Sequence, residues 1–303
     1  MKDFEYVTPK TLREAVTRLS EKNGNARVLA GGTDLIVQMR IKRAQPERVV
    51  DVKSIPELNE LSYGPKRGLR VGAAVPCWRI YNDPDVVERY PAIFDSTAII
   101  GGIQIQGRAS IGGNLCNSSP SADSTPTMIA YGATCDIVGP KGKRQVPVAG
   151  FCTGPGTNVL APDELLVAIN FPPARKFTGA HYLRFIPRNE MDIAVVGAGA
   201  FVELANRKKD FKIVRIALGA VAPMPVVAEE AAKMLEGRAV RDEAIEEAAE
   251  AAKAVARPIT DMRGTAEYRT HLVGVLTKRA LHGAVKRARG EFVPNAGQEP
   301  ASN

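Results

Sequence analysis

Two stretches of this sequence combine residue types suited to one task, the holding of an anion. In the first, VLAGGTDLI at 28 to 36, an apolar strand runs into Gly31 and Gly32, then Thr33 and Asp34, then an apparent helix start. Glycines lack a Cβ, so successive backbone N–H groups can turn inward and approach an anion closely, and the positive end of the following helix adds to the attraction. Thr33 adds a hydroxyl donor, and Asp34 is placed to cap the helix. The second stretch, RASIGGNLCNSSPSAD at 108 to 123, reads as another strand entering a pair of glycines, Gly112 and Gly113, followed by small hydroxyl and amide side chains. Such side chains leave room for a bulky ligand and offer hydrogen-bond partners to its phosphates and sugar hydroxyls. Taken singly, the stretches also read as an ordinary strand-to-helix turn and a Ser/Asn-rich surface loop. Taken together they suit a pyrophosphate-bearing dinucleotide, although neither has the three-glycine Rossmann spacing or the Gly-Lys ending of a P-loop.

The elements that must position these loops follow from periodicity. Leu12, Ala15, Val16 and Leu19 recur at helical spacing, with Asn23, Gly24 and Asn25 ending the helix, and RVLA at 27 to 30 and ERVVDV at 47 to 52 read as buried strands. Residues 1 to 60 therefore form a compact βαβ-like unit. From 61 to 176 the pattern changes to short strands and glycine-rich turns, LRVGAAV, RASIGGN, TCDIVG, RQVPV and LLVAINFP, with one helix expected around 84 to 94. A third unit, 177 to 289, opens with IAVVGAGAFVEL and FKIVRIALGAVA, which should pair as a hairpin; helices are expected at 226 to 236, 241 to 256 and 265 to 288. The glycine string at 197 to 202 reads as strand interior beneath closely packed helices, and the polar tail 290 to 303 reads as frayed.

Composition narrows the function classes. With 45% hydrophobic and 24% charged residues and no apolar run near the roughly 18 needed to span a bilayer, the class is a soluble globular protein without a membrane span. The N-terminus has no basic region followed by an apolar stretch, which points to the cytoplasm. The net charge of +8 is spread among acidic residues, its densest groups being Arg207 to Lys209 and Lys278 to Arg289, so it reads as solvated turns and helix faces rather than a nucleic-acid surface. Cys77, Cys116, Cys135 and Cys152 are too far apart for a CxxC metal pair and read as reduced structural thiols. His181, His271 and His282 belong to no recognisable triad or metal motif, so no catalytic side chain and no metal ligand is assigned.

AGGTDL at 30 to 35, ASIGGN at 109 to 114 with Asp123 downstream, PDELLVAINFP at 163 to 173 and RNEMDIA at 188 to 194 together resemble the FAD-binding medium subunit of the xanthine dehydrogenase and carbon monoxide dehydrogenase family, in its order and spacing and over nearly the whole chain. The resemblance implies an α+β fold: two subdomains of the vanillyl-alcohol oxidase type (PCMH) clasping FAD, then a C-terminal three-stranded antiparallel sheet with a helical bundle. It implies that Leu29, Ala30, Gly31, Gly32, Thr33, Asp34 and Leu35, with Ser110, Ile111, Gly112, Gly113 and Asn114, wrap the FAD pyrophosphate. Ile100, Gly101, Asn117 and Asp123 would line the cofactor further along, Leu166 and Arg184 would lie near the flavin end, and Ile193 would pack against the isoalloxazine ring. The segment 185 to 192 matches a loop that in some relatives controls access of the final acceptor; Arg184 and Asp192 also read as an ordinary surface pair. The implied function is an electron-transfer flavoprotein, an oxidoreductase subunit. Partner subunits would hold the molybdenum pterin cofactor (large) and the 2Fe-2S clusters (small) in a dimer of heterotrimers, and an external acceptor would take the electrons. The alternative is a self-sufficient FAD-dependent oxidase of the same fold.

Overall fold

The structure is a computed structural model, and it describes residues 1–22, 24–188 and 191–294. Asn23 of the first helix end, Asn189 and Glu190 of the segment 185 to 192, and the tail from 295 lie outside the described residues. The first unit runs β1 (Glu5–Val7), α1 (Leu12–Ser20), β2 (Ala26–Leu29), α2 (Leu35–Arg40) and β3 (Arg48–Asp51). Its three strands are parallel in the order β1-β3-β2, which leaves β2 at an edge. Thr11 caps α1 by accepting the Glu14 N–H, and the helical repeat of Ala15, Val16 and Leu19 is buried against the sheet. Asp34 sits at the N-cap position of α2 but makes no side-chain capping bond, against the expectation from sequence; its backbone is already helical, which turns the carboxylate away from the first N–H groups.

The second unit contains β4 (Leu61–Gly64), β5 (Gly68–Gly72), α3 (Cys77–Tyr81), α4 (Pro84–Arg89), α5 (Pro91–Thr97), α6 (Ile103–Gln106), α7 (Ile111–Asn117), α8 (Ser124–Tyr131), β6 (Thr134–Gly139), β7 (Gly142–Pro147), β8 (Cys152–Gly154), β9 (Thr157–Asn158) and β10 (Leu165–Phe171). Five strands form an antiparallel sheet in the order β4-β5-β10-β6-β7. The helix expected at 84 to 94 is two helices, because Pro91 removes an N–H and Tyr90 leaves the helical region. Residues 108 to 110 are not a strand: only Ser110 forms an isolated bridge, to Pro76, and both glycines of the second motif lie inside the first turn of α7.

The third unit contains β11 (Thr178–Phe185), β12 (Val196–Ala205), β13 (Asp210–Gly219), β14 (Val226–Val227), α9 (Glu229–Lys233), α10 (Asp242–Ala251) and α11 (Ala266–Arg289). The hairpin of β12 and β13 forms as the sequence implies. The sheet has four antiparallel strands rather than three: the β-branched pair Val226–Val227 follows Pro225, stays extended, and pairs with Leu218 and Ala217 before α9 begins. One face is covered by α9 and α11, on which α10 packs, and α5 and α8 of the second unit pack against the sheet from the other side. Close approach explains two glycines of the 197 to 202 string: a Cβ on Gly199 would meet the backbone of Pro126 in α8, and one on Gly197 would lie 2.5 Å from the Tyr182 hydroxyl.

Two buried carboxylates of the second unit grip β11. Asp95 of α5 takes two bonds from the Arg287 guanidinium (2.6 and 3.0 Å) and one from the Tyr182 backbone N–H (3.2 Å). Asp123, at the start of α8, accepts from the Tyr182 hydroxyl (2.9 Å) and from Arg184 (2.7 Å). Tyr182 thus touches both carboxylates, one through its backbone and one through its ring hydroxyl.

Candidate functional site

The two glycine segments come together. Gly31 has no room for a Cβ, which would collide with the Arg108 carbonyl oxygen, and a Cβ on Gly112 would likewise lie 2.6 Å from the Ala73 Cα. Gly32 takes a left-handed backbone (φ +79°), which a side chain disfavours. Gly113 is different: a Cβ there would meet only the Ser110 hydroxyl at 3.1 Å, and the residue faces open space. Ser110 caps α7, its hydroxyl accepting from the Gly113 N–H at 3.1 Å. Between the two segments lies a cavity of about 990 Å³, at the upper end of the range for ligand pockets. The edge of β2 forms one wall through Arg27 and Val28, and the start of β10 forms another through Leu165 and Leu166. A β-bulge between Leu166 and Ala168 lies beside that wall, a common device where a strand borders a site.

Of the residues singled out from sequence, Ala30, Gly31, Gly32, Thr33, Asp34, Leu35, Ile100, Ser110, Gly112, Gly113, Asn114, Asn117 and Leu166 line the cavity. Leu29 and Ile111 belong to the apolar cores beneath it. Gly101 follows the lining residue Ile100 with a left-handed backbone (φ +59°). Asp123 and Arg184 stand outside the lining, paired with each other and both largely buried. Arg184 and Asp192 are therefore not a surface pair: Asp192 binds Arg188 (3.1 Å) and Arg263 (3.2 Å). Ile193 is half exposed at 51% and stands apart from the lining. Met191, two residues earlier, lies where a Cβ on Gly102 would be, which brings that loop next to Ile100 and Gly101. Sequence reasoning missed Gln38, whose amide donates to Asn117 (2.9 Å) and ties α2 to α7 across the cavity, and Tyr182. Neither sits in a recognisable pattern. Among the described residues no cluster of His, Cys, Asp and Glu could hold a metal.

Electrostatics at this end are set by burial. Burial raises the Asp123 carboxyl to about 6, opposed by Arg184 and the Tyr182 hydroxyl. His181, next to Tyr182, is held down at about 4 by burial, opposed by the nearby Asp95. The signs are opposite. Asp123 has a folded pKa above its ordinary 3.8, so its contribution to stability is complete below that value and is lost as pH rises through about 6. His181 has a folded pKa below its ordinary 6.5, so its contribution is complete above that value and is lost as pH falls through about 4. In urea unfolding of the flavin-free chain, the stability advantage of the parent over Asp123→Asn should widen as pH falls from 6 towards 4. The advantage over His181→Gln should shrink across the same window, each slope being at most about 1.4 kcal/mol per pH unit. Parallel curves for parent and variants would contradict both assignments.

Comparison with known proteins bears on what fills the cavity. Residues 2–174 match the family model described as the FAD binding domain in molybdopterin dehydrogenase, and residues 181–284 match the CO dehydrogenase flavoprotein C-terminal domain. The chain belongs to this family of FAD-binding subunits. It is 34% identical over 295 residues to a xanthine dehydrogenase FAD-binding subunit of Escherichia coli O157:H7, covering 96% of this chain and 100% of that one. It is 34% identical over 291 residues to the carbon monoxide dehydrogenase medium chain of Hydrogenophaga pseudoflava, covering 94% and 98%. A solved carbon monoxide dehydrogenase from the same organism, lacking the Mo-pyranopterin moiety of its molybdenum cofactor, superposes with a TM-score of 0.90 at 34% identity, again covering 94% and 98%. Medium chains of this family are oxidoreductase subunits of molybdenum-dependent complexes, and the mixed α and β architecture is theirs.

The residues present fit an FAD. Two glycine-lined turns face each other with room for a pyrophosphate, and the lining offers the side chains of Thr33, Ser110, Asn114, Asn117 and Ser119 to sugar hydroxyls and phosphates. No helix among the described residues is long and apolar enough to cross a membrane.

Proposed function

We propose that this chain holds FAD along the cavity, with the pyrophosphate between Gly31–Asp34 and Ser110–Asn114 and the isoalloxazine ring towards Ile100, Gly101 and Ile193. The observation that carries the reading is the meeting of the two glycine segments, each too tight for a side chain at Gly31 and Gly112, around a dinucleotide-sized space. FAD, when bound, accepts electrons singly and passes them on in pairs. The chain's own residues hold and orient it: backbone N–H groups meet the phosphates, Leu166 and Ile100 give apolar walls, and the Gln38–Asn117 bond closes α2 over α7. Electrons would arrive from 2Fe-2S clusters on a small partner subunit, having left substrate at a molybdenum pterin cofactor on a large one, and would leave to an external acceptor. The assembly we infer is a dimer of heterotrimers in the cytoplasm.

Gly113→Leu tests the placement directly. The side chain would project into the cavity without touching backbone, so flavin occupancy should fall below a tenth of the parent's while the thermal midpoint stays within a few degrees. Full occupancy in this variant would contradict the site. For the wider reading, the complex captured with this chain should carry FAD here and molybdenum and iron only in its partners. Reduction of the flavin by an organic substrate with no partner present would favour a self-sufficient oxidase instead.

A further inference from the structure

Between β8 and β10 the chain makes little regular structure of its own: β8 and β9 share a short, irregular ladder, and Val159 to Glu164 belong to no helix or strand. Yet Pro155, Gly156, Leu160 and Glu164 all line the cavity. Much of what holds this segment comes from outside it. On its inner side the Gly156 N–H donates to the Ser118 carbonyl (3.0 Å), and the Asn158 side-chain amide donates to the Cys116 carbonyl (2.9 Å), at the end of α7 away from the glycine turn. On its outer side stands Arg144 of β7, itself no part of the cavity wall. Its guanidinium forks onto the Glu164 carboxylate (2.7 and 2.6 Å) and donates to the Val159 carbonyl (2.9 Å), while Glu164 also accepts the Ala161 N–H (2.8 Å). Glu164 is the more buried partner, its side chain 15% exposed against 38% for Arg144. Gly139 leaves room for it, since a Cβ there would lie 2.8 Å from the Glu164 Cγ. The position of the segment is fixed along β2. Just before that strand, a Cβ on Gly24 would meet Pro162 at 3.5 Å; just after it, Gly31 packs on Arg108 and Ala109, and Ala109 clusters with Ile100. The segment and Ile100 therefore stand at opposite ends of β2.

We propose that residues 155–164 form a strap over the adenosine half of FAD, and that Arg144 is the positioning residue that fixes the strap through Glu164 and so sets the preference of the site for FAD over FMN. This rests on the reading that FAD occupies the cavity with its ring towards Ile100. With the ring at that end of β2 and the pyrophosphate between the two glycine segments, the adenosine is left for the end where the strap lies. A segment with so little structure of its own is mobile unless tied, and a ligand that has to order a mobile loop loses affinity by doing so. The Arg144 fork orders the segment beforehand. A guanidinium bound to a carboxylate through two parallel N–H groups fixes direction as well as distance, which a single charge contact does not. The gain falls on how slowly the dinucleotide leaves.

The experiment measures, by calorimetry on the flavin-free full chain, the affinities for FAD, FMN and ADP in the parent, Arg144→Ala and Arg144→Lys. FMN carries the ring and one phosphate; ADP carries the adenosine and the pyrophosphate. Arg144→Ala should weaken FAD and ADP by about fivefold, as fits a partly exposed pair with bidentate geometry, and leave FMN within about twofold of the parent. Arg144→Lys, which can make one bond to Glu164 but not the fork, should recover part of the loss. The urea midpoint should stay at the parent's value in both variants, which separates positioning from a general loss of structure. Equal losses for FAD, FMN and ADP would overturn the proposal, as would an ADP affinity that Arg144→Ala leaves unchanged. A parent chain that binds no FAD would refute the cofactor reading, whereas a parent that binds FAD, with an Arg144→Ala variant of parental affinity for FAD and ADP, would refute the strap alone.

Discussion

Replacing Gly31 with alanine is expected to strip the chain of flavin and to lower its stability by about 2–3 kcal/mol, the cost of forcing an atom into closed packing. The cause is space rather than backbone conformation. The added Cβ would fall on the Arg108 carbonyl oxygen, and backbone cannot swing aside as a side chain can. The two segments would part at the point where we propose that they grip the pyrophosphate, so retention and stability should fail together. Gly113→Ala is the matched control, because its Cβ meets only a serine hydroxyl at 3.1 Å. The measurements are the FAD-to-protein ratio after gel filtration and the urea midpoint. A Gly31→Ala protein with full flavin and a parental midpoint would mean that the two loops do not meet as described.

Asp95→Ala should cost more, about 3–5 kcal/mol, because it leaves the Arg287 guanidinium without its buried counter-charge. Arg287 and Asp95 share two bonds and are both largely buried. The Tyr182 N–H loses its acceptor in the same change. Since β11 would then keep only Asp123 of the two carboxylates that grip it from the second unit, flavin affinity should also weaken, though no atom of Asp95 lines the cavity. A double replacement, Asp95→Leu with Arg287→Met, should recover most of the loss, since a well-packed apolar pair can replace a buried ion pair at little cost. If Asp95→Ala and the double variant unfold at the same denaturant concentration, the pair is not the source of the stability.

Much of the site was legible before the fold. A Gly-Gly pair followed by small polar side chains is a local pattern, and it found Gly31, Gly32, Gly112 and Gly113 directly, although only the first pair follows a strand. What stayed hidden was hidden for physical reasons. The helix α7 contains two glycines, poor helix formers, and is closed instead by the Ser110 cap and contact with Ala73. All eight residues of α8 are buried, so it has no polar face and no period to detect. Asp95 and Arg287 stand 192 residues apart and their pairing has no local signature. Asp123 was placed beside the cofactor by resemblance, but its grip on Tyr182 and Arg184 needed coordinates.

The two stretches matched by separate family models, 2–174 and 181–284, look like separable modules. Their interior says otherwise. Ala180 and Ala217 belong to the same buried cluster as Tyr90, Tyr131 and Phe171 of the first stretch, and Phe201 packs its ring against Tyr131 at 5.9 Å. A lineage that inherited one stretch without the other would receive half an oil drop, with β11 cut from the carboxylates that seat it. The shared core makes the two stretches one folding unit.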